Sequence, residues 1–124
     1  MDSNTPIIVG AGQYVSRERQ EADQILSPVE IAAEAARRAL ADAGGDSDLA
    51  SHVDTLAVMR LFEHSVRDSD MWANPFGSPS NVPWSVARRA NVKPRRAIYA
   101  EVGGQMPQRM VNYFCEQIHA GAAR

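Results

Sequence analysis

The sequence predicts an α/β protein with an incomplete, mainly parallel sheet. Three observations predict it: a β-branched apolar run at residues 6–10, a capped helix after it, and a strand–turn–helix pattern at residues 96–124. Strands that alternate with helices are typical of parallel sheets joined by crossovers. We therefore expect the order β-α-β-loop-α-β-α, a βαβαβ layered domain that stops after a helix.

Composition sets the broad class. The chain has 124 residues, so residues 1–124 form one domain at most, long enough for a core but short for a complete α/β enzyme. Its 44% hydrophobic and 23% charged residues are typical of soluble globular proteins, and its net charge of -2 gives no general attraction to nucleic acid. No apolar run reaches the ~18 residues of a membrane span, and the polar start is no signal peptide. A cytoplasmic protein is the expectation.

The first predicted strand, residues 6–10, is a continuous apolar run that ends in Gly10. Such a run suits a strand covered on both faces in the middle of a parallel sheet. Gly10 and Gly12 resemble the start of a dinucleotide fingerprint, but its third glycine would fall at Val15, and polar residues follow. A turn at a strand end is the interpretation that fits better.

The first predicted helix has the clearest local signal. Ser27 is a helix cap, Pro28 suits the first helical position, and Glu30 completes a capping box. The helix should run to about residue 43, where two glycines, residues 44–45, end it. Small side chains line one face, and Glu34 pairs with Arg38 on the outer side. The small face consists of Ala32, Ala36, Ala39, Leu40 and Ala43.

The second strand is predicted at residues 53–62, after a polar turn, and parallel to the first. Residues 63–83 form a long loop, and loops of this length are usually functional or flexible. Large apolar side chains in and just after this loop suggest that it packs on its own domain or on a partner. They are Met71, Trp72, Phe76 and Trp84.

A short helix at residues 83–91 leads to the third strand, residues 97–102, in which Ile98, Ala100 and Val102 alternate with polar positions. The last helix is predicted from near Pro107 to Gly121 with a core-facing stripe. That stripe consists of Met106, Met110, Phe114 and Ile118, with Val111 and Cys115 beside it.

The candidate functional site is the turn formed by Gly103, Gly104 and Gln105. Paired glycines allow close approach of other groups where the first free N–H groups of a helix point outward. In many α/β enzymes such a turn carries a nucleophile or binds an anion. Here the turn has the glycines typical of such a loop, but none of its side chains is an obvious nucleophile.

The remaining reactive side chains give no site. Cys115 alone excludes an internal disulfide and a multi-cysteine zinc site, and a small core residue is its expected role. His52, His64 and His119 have no metal-ligand spacing, so we expect no metal and structural or exposed roles. One basic cluster is expected to be a solvated face, with contact to a phosphate-bearing ligand or an acidic partner as the alternative. It comprises Arg88, Arg89, Lys93, Arg95 and Arg96.

Four stretches resemble the N-terminal part of the thiolase superfamily, most closely the acetyl-CoA acetyltransferase-like branch akin to sterol-carrier thiolases. They are PIIVGAGQY, SPVEIAAEAARRALADAG, VDTLAVMRLF and RAIYAEVGGQMPQRMVNYFCEQIHAGAA. The resemblance implies an acyl-CoA acyltransferase of lipid metabolism, with acyl-CoA as substrate or ligand and no other cofactor. It also implies that these residues are the opening portion of a larger domain.

In thiolases the corresponding turn carries a cysteine that is acylated by a CoA thioester. Matching the end of the helix places that position at Gly104, which cannot be acylated. Cys115 lies further along the helix, roughly 16 Å away at ~1.5 Å per residue, and is no substitute. The family's other catalytic groups lie in a C-terminal half, so we expect no thiolase activity from this chain.

The alternative is a non-catalytic thiolase-fold subunit that binds acyl-CoA or completes a partner enzyme; a truncated product without activity is a third hypothesis. The resemblance also implies a homodimer through residues 97–102, the stretch from Ala97 to Val102, because the third strand of thiolases pairs across a two-fold axis. A complementing thiolase-like chain is the other candidate partner. If the strand order is 3-2-1, residues 6–10 form an open edge, and such a partner would cover it.

Overall fold

A computed structural model describes residues 3–16, 21, 25–44, 47–65 and 75–123. Within this part the chain forms four α-helices, one short 3-10 helix and two strands. In chain order these are α1 (Pro28–Asp42), α2 (Ser47–His52), β1 (Thr55–Met59), the 3-10 helix (Phe62–Ser65), α3 (Val82–Arg89), β2 (Arg96–Ala100) and α4 (Met106–His119).

The strands form a two-stranded parallel sheet, which confirms the predicted α/β class and the parallel direction. The register pairs Thr55 with Arg96 and continues to Met59 opposite Ala100. Beyond the last pair, the Arg60 N–H donates to the Ala100 carbonyl at 3.0 Å. The carboxyl ends of both strands therefore lie side by side, the edge at which open α/β sheets place their ligands.

The strand predicted at residues 6–10 was wrong. Ile7, Ile8 and Val9 pair with no strand of the described chain, and they are 62%, 85% and 57% exposed. Their segment continues along α1, where the Ala11 N–H donates to Asp42 Oδ2 at 2.9 Å. β-Branched residues favour an extended backbone, but a strand also needs a neighbour with which to pair.

Helix α1 begins and ends as predicted. The Glu30 N–H donates to Ser27 Oγ at 3.3 Å, and the Ser27 N–H donates to Glu30 Oε2 at 2.8 Å, so the capping box is complete. At the other end Gly44 has φ of 123°, in the left-handed region that favours glycine. On the outer side Arg38 Nε donates to Glu34 Oε1 at 3.0 Å, as predicted, and Arg37 binds the same carboxylate at 2.7 Å.

The core lies between α1, α3 and the sheet. Its centre is a cluster of small and β-branched side chains: Val29, Ala33, Val82, Val86, Ala87, Ala90 and Val92. From the strands, Leu56, Val58 and Tyr99 pack against it. Tyr99 thus joins the core with its ring and reaches the carboxyl edge of the sheet with its hydroxyl.

The connections differ from the expectation in two places. The polar stretch before β1 is helix α2, not a turn, because Ala50 can pack on the core cluster from a helical backbone. The long loop begins with the 3-10 helix and ends at α3. Phe76 in the loop and Trp84 in the first turn of α3 are each 45% exposed. Met71 and Trp72 lie outside the described residues.

Helix α4 packs along β1, and Arg96 at the start of β2 donates to Tyr113 Oη of α4 at 2.6 Å. Met106 is buried, and the other three members of the predicted stripe are half-buried. Val111 is 46% exposed, so the apolar side of α4 is only partly covered by the part of the chain that the structure describes. In the part of the chain that the structure describes, every helix is too short or too polar to span a bilayer.

Candidate functional site

The predicted turn connects β2 to α4. Gly103 has φ of 153°, inside the region that side chains rarely adopt, and its carbonyl accepts the Met106 N–H at 3.0 Å. The chain therefore reverses direction within three residues. Gly103, Gly104 and Gln105 are brought together at the start of a 14-residue helix, as the sequence predicts.

Gln105 folds back over this turn. A Cβ built on Gly103 would lie 2.9 Å from Gln105 Oε1 and 3.0 Å from Gln105 Nε2. The carboxamide consequently occupies the space that a side chain at Gly103 would need. Gln105 makes no side-chain capping bond to α4.

Gly104 is in the opposite situation. A Cβ built on it would meet nothing within 4 Å, and its φ is not positive. The backbone at Gly104 could therefore carry a side chain pointing into open space, yet the sequence supplies none. Gly104 itself supplies no side-chain atom that could react.

Backbone donors at the start of α4 give the turn a positive character. The Arg109 N–H already donates to the Gln105 carbonyl at 3.1 Å, and Pro107 has no N–H to donate. The first turn of α4 contains no acidic side chain that would offset the positive end of the helix. The N–H of Gln108 has no intrahelical acceptor because it lies in the first turn. A carbonyl oxygen or an anion is the group that such a helix end stabilises.

Cys115 and two of the histidines lie where the sequence places them, away from the turn. Cys115 is a half-buried, unpaired thiol on α4. His52 and His119 are exposed at the ends of α2 and α4. The five basic residues of the predicted cluster are all exposed, in agreement with a solvated face. Within the described residues no group of three metal-ligating side chains comes together.

His64 is the exception among the histidines. Its Nδ1 lies 2.6 Å from Tyr99 Oη and its Nε2 lies 2.5 Å from Ser78 Oγ. The Leu61 N–H also donates to Tyr99 Oη, at 3.0 Å. Sequence reasoning missed this constellation because its members are separated by 14 and 35 residues, and no local pattern links them.

A cavity of 180 Å³ opens beside this constellation. His64, Tyr99 and Asn81 contribute its polar lining, and Pro79 and Pro83 contribute apolar walls. Asn81 is also the cap of α3, since its Oδ1 accepts the Trp84 N–H at 3.2 Å. The described residues therefore contain two separate candidate sites, the turn before α4 and the cavity beside His64.

Comparison with solved structures finds a similar protein. The crystal structure of a monomeric SCP2-thiolase-like protein type 1 from Mycobacterium smegmatis matches with a TM-score of 0.77 and 37% sequence identity. The match covers 99% of this chain and 22% of that one. This chain thus spans less than a quarter of the length of the protein that it resembles. No family model and no curated protein matches the sequence.

Proposed function

Because the chain is a thiolase-like domain, we propose that it belongs to an acyl-CoA acyltransferase-like protein that binds acyl-CoA without forming the covalent thiolase intermediate. The observation that carries the proposal is Gly104. Thiolase chemistry needs a thiolate at the start of this helix, and here the position offers backbone donors only.

Binding without acylation follows from the same geometry. A thioester carbonyl would accept hydrogen bonds at the start of α4, with the Gln105 carboxamide as an additional donor over Gly103. Since no bond to the carbonyl carbon can form at Gly104, the thioester would stay intact. The acyl-CoA is a ligand in this proposal, which includes no other cofactor.

The test compares the natural chain with Gly104→Cys. A Cβ at Gly104 meets nothing, so the variant should fold as the natural chain does. Its thiol would lie at a helix N-terminus, where the thiolate is stabilised. We expect acetyl-CoA to bind the natural chain without changing its mass in a mass spectrum, and to add one acetyl group to the variant.

Cys115 supplies the control, because it is the chain's own thiol. A Cys115→Ala substitution in both proteins should leave these results unchanged. Acylation of the natural chain at residues 103–105 or at Cys115, or a failure of acetyl-CoA to bind it in calorimetry, would contradict the proposal.

A second candidate is a non-catalytic subunit that is completed by another chain, in the cytoplasm. It is favoured by the exposed apolar residues Ile7, Ile8 and Val9 and by the partly covered face of α4. In the symmetric form of this proposal the other chain is a second copy, and residues 97–102 form the dimer interface. Val102, in that stretch, is 41% exposed and could contact the second copy. Sedimentation at micromolar concentration tests it, and a stable monomer would contradict the homodimer.

A further inference from the structure

The chain of hydrogen bonds through His64 has the geometry of an activated serine. Ser78 Oγ lies 2.5 Å from His64 Nε2, and His64 Nδ1 lies 2.6 Å from Tyr99 Oη. A nucleophile, a base within hydrogen-bond reach and a third group that orients the base are the signature of nucleophilic catalysis. We propose that Ser78 is a nucleophile and His64 its general base, in a site that hydrolyses short-chain carboxylic esters. The proposal does not depend on the turn at Gly104.

Tyr99 is the positioning residue of this site. Its oxygen is fixed by the Leu61 N–H at 3.0 Å, so it offers His64 Nδ1–H an acceptor in a set place. With the proton on Nδ1, the lone pair of Nε2 faces Ser78 Oγ, which is the tautomer that a base requires. The rings of His64 and Tyr99 also pack edge to face, with centroids 5.9 Å apart, and this packing restricts the imidazole.

The carboxylate beside His64 and the solvent exposure of Ser78 agree with the proposed roles of base and nucleophile. Glu63 Oε1 lies 3.8 Å from His64 Nε2, close enough to stabilise the imidazolium that forms when the base takes a proton. The Ser78 side chain is exposed, whereas the side chain of His64 is 24% exposed. A substrate can therefore reach the hydroxyl from solvent while the base stays held on the protein.

The adjoining cavity sets the substrate class. Pro79, Val82 and Pro83 give it apolar walls, against which an acyl chain would lie. Pro79 directly follows Ser78 in the chain, and His64, the partner of Ser78, also lines the cavity. Its 180 Å³ is below the roughly 300–1,000 Å³ of pockets that hold drug-sized ligands. A short acyl group is what such a volume accommodates.

The reaction balances with water as the only co-reactant. Ser78 Oγ forms a bond to the ester carbonyl carbon while its proton passes to His64 Nε2. His64 then gives this proton to the leaving oxygen as the ester C–O bond breaks, and the alcohol departs from an acyl-serine. Water attacks the acyl group with His64 again as base, which releases the carboxylic acid and restores Ser78.

The experiment treats the full chain with a fluorophosphonate probe and with p-nitrophenyl acetate. We expect one label per chain, on Ser78, and hydrolysis of the ester. Ser78→Ala and His64→Gln should each lower kcat/KM by about a hundredfold or more. Tyr99→Phe should lower kcat with little change in KM, because the ring that lines the cavity remains while the acceptor for Nδ1–H is lost.

Two matched controls should keep the full rate. Ser65→Ala removes an exposed serine beside His64 in sequence. His52→Gln alters the other described serine–histidine contact, in which Ser51 Oγ lies 3.2 Å from His52 Nδ1. A label on another residue, or hydrolysis that survives in Ser78→Ala, would overturn the proposal.

Two further readouts keep the test decisive. If His64→Gln fails to fold in a urea titration, the labelling of Ser78 in the natural chain and the kcat of Tyr99→Phe decide the outcome. p-Nitrophenyl decanoate should be a much poorer substrate than the acetate, and equal rates would contradict the role of the cavity. Binding of acetyl-CoA is measured separately, so failure here leaves the proposal for Gly104 intact.

Discussion

Gly12 lies directly against the backbone of Ala39 in α1. A Cβ built on Gly12 would be 2.4 Å from Ala39 N and 2.2 Å from the carbonyl oxygen of Ala35. Gly10 stands one turn further along, with the Ala39 carbonyl oxygen 2.4 Å from its Cβ position. These glycines, which at first sight resemble a nucleotide fingerprint, let an extended segment lie in contact with a helix.

Gly12→Ala should therefore destabilise the chain. The added methyl group meets helix backbone, which cannot move aside as a side chain can, so we expect a loss of about 1–3 kcal/mol in the free energy of unfolding. Urea titration measures it. Gly104→Ala is the matched control, because a Cβ there meets nothing within 4 Å, and its effect should stay within about 0.5 kcal/mol. Equal effects of the two substitutions would show that the segment does not dock on α1 as described.

The contrast between α1 and residues 6–10 shows what the sequence could predict. The cap of α1 was predictable because Ser27 and Glu30 are three residues apart and bond to each other. A strand depends on a partner elsewhere in the chain, and composition alone could not reveal that residues 6–10 have none and that residues 10–13 lie along α1. The same reason hid Ser78 and Tyr99 from sequence reasoning, whereas the glycine turn before α4 was visible because its geometry is local.

The capping box should make stability depend on pH in acid. Hydrogen bonds from the Ser27 side chain and backbone lower the pKa of Glu30 below its ordinary value of 4.5. The folded chain thus binds this proton more weakly than the unfolded chain does. The carboxylate of Glu30 stabilises the fold at pH values above its ordinary pKa of 4.5. That contribution is lost as the pH falls through the lower pKa of the folded state.

Glu30→Gln should flatten this part of the pH profile, because the amide does not titrate. Urea midpoints measured from about pH 6 down to about pH 3 would show it. The pKa of Glu34 is lowered too, first by its bonds to Arg37 and then by those to Arg38, so the variant keeps a smaller dependence of the same sign. Glu116→Gln, on the exposed side of α4, is the control and should leave the profile unchanged. A profile identical in Glu30→Gln and the natural chain would contradict the prediction.

Asn91 directly follows Ala90, the C-cap of α3, and has a left-handed backbone conformation with φ of 57°. Asparagine tolerates this region better than other residues with a side chain, and glycine tolerates it best. Asn91→Val should lower the free energy of unfolding by about 1–2 kcal/mol, whereas Asn91→Gly should change it little. Thermal unfolding of both variants tests this, and a valine variant as stable as the glycine variant would show that the backbone does not adopt this conformation in solution.

The exposed segment at residues 7–9 should promote association of the chain with itself. Ile8 is 85% exposed, so Ile8→Lys removes an apolar group that contributes little to the folded monomer. We expect the natural chain to associate increasingly with concentration in sedimentation velocity, and the variant to associate less without a change in its urea midpoint. Thr5→Lys adds the same charge at an exposed position of the same segment and should leave the association in place. If both lysine variants reduced association equally, net charge rather than the apolar surface would be its cause.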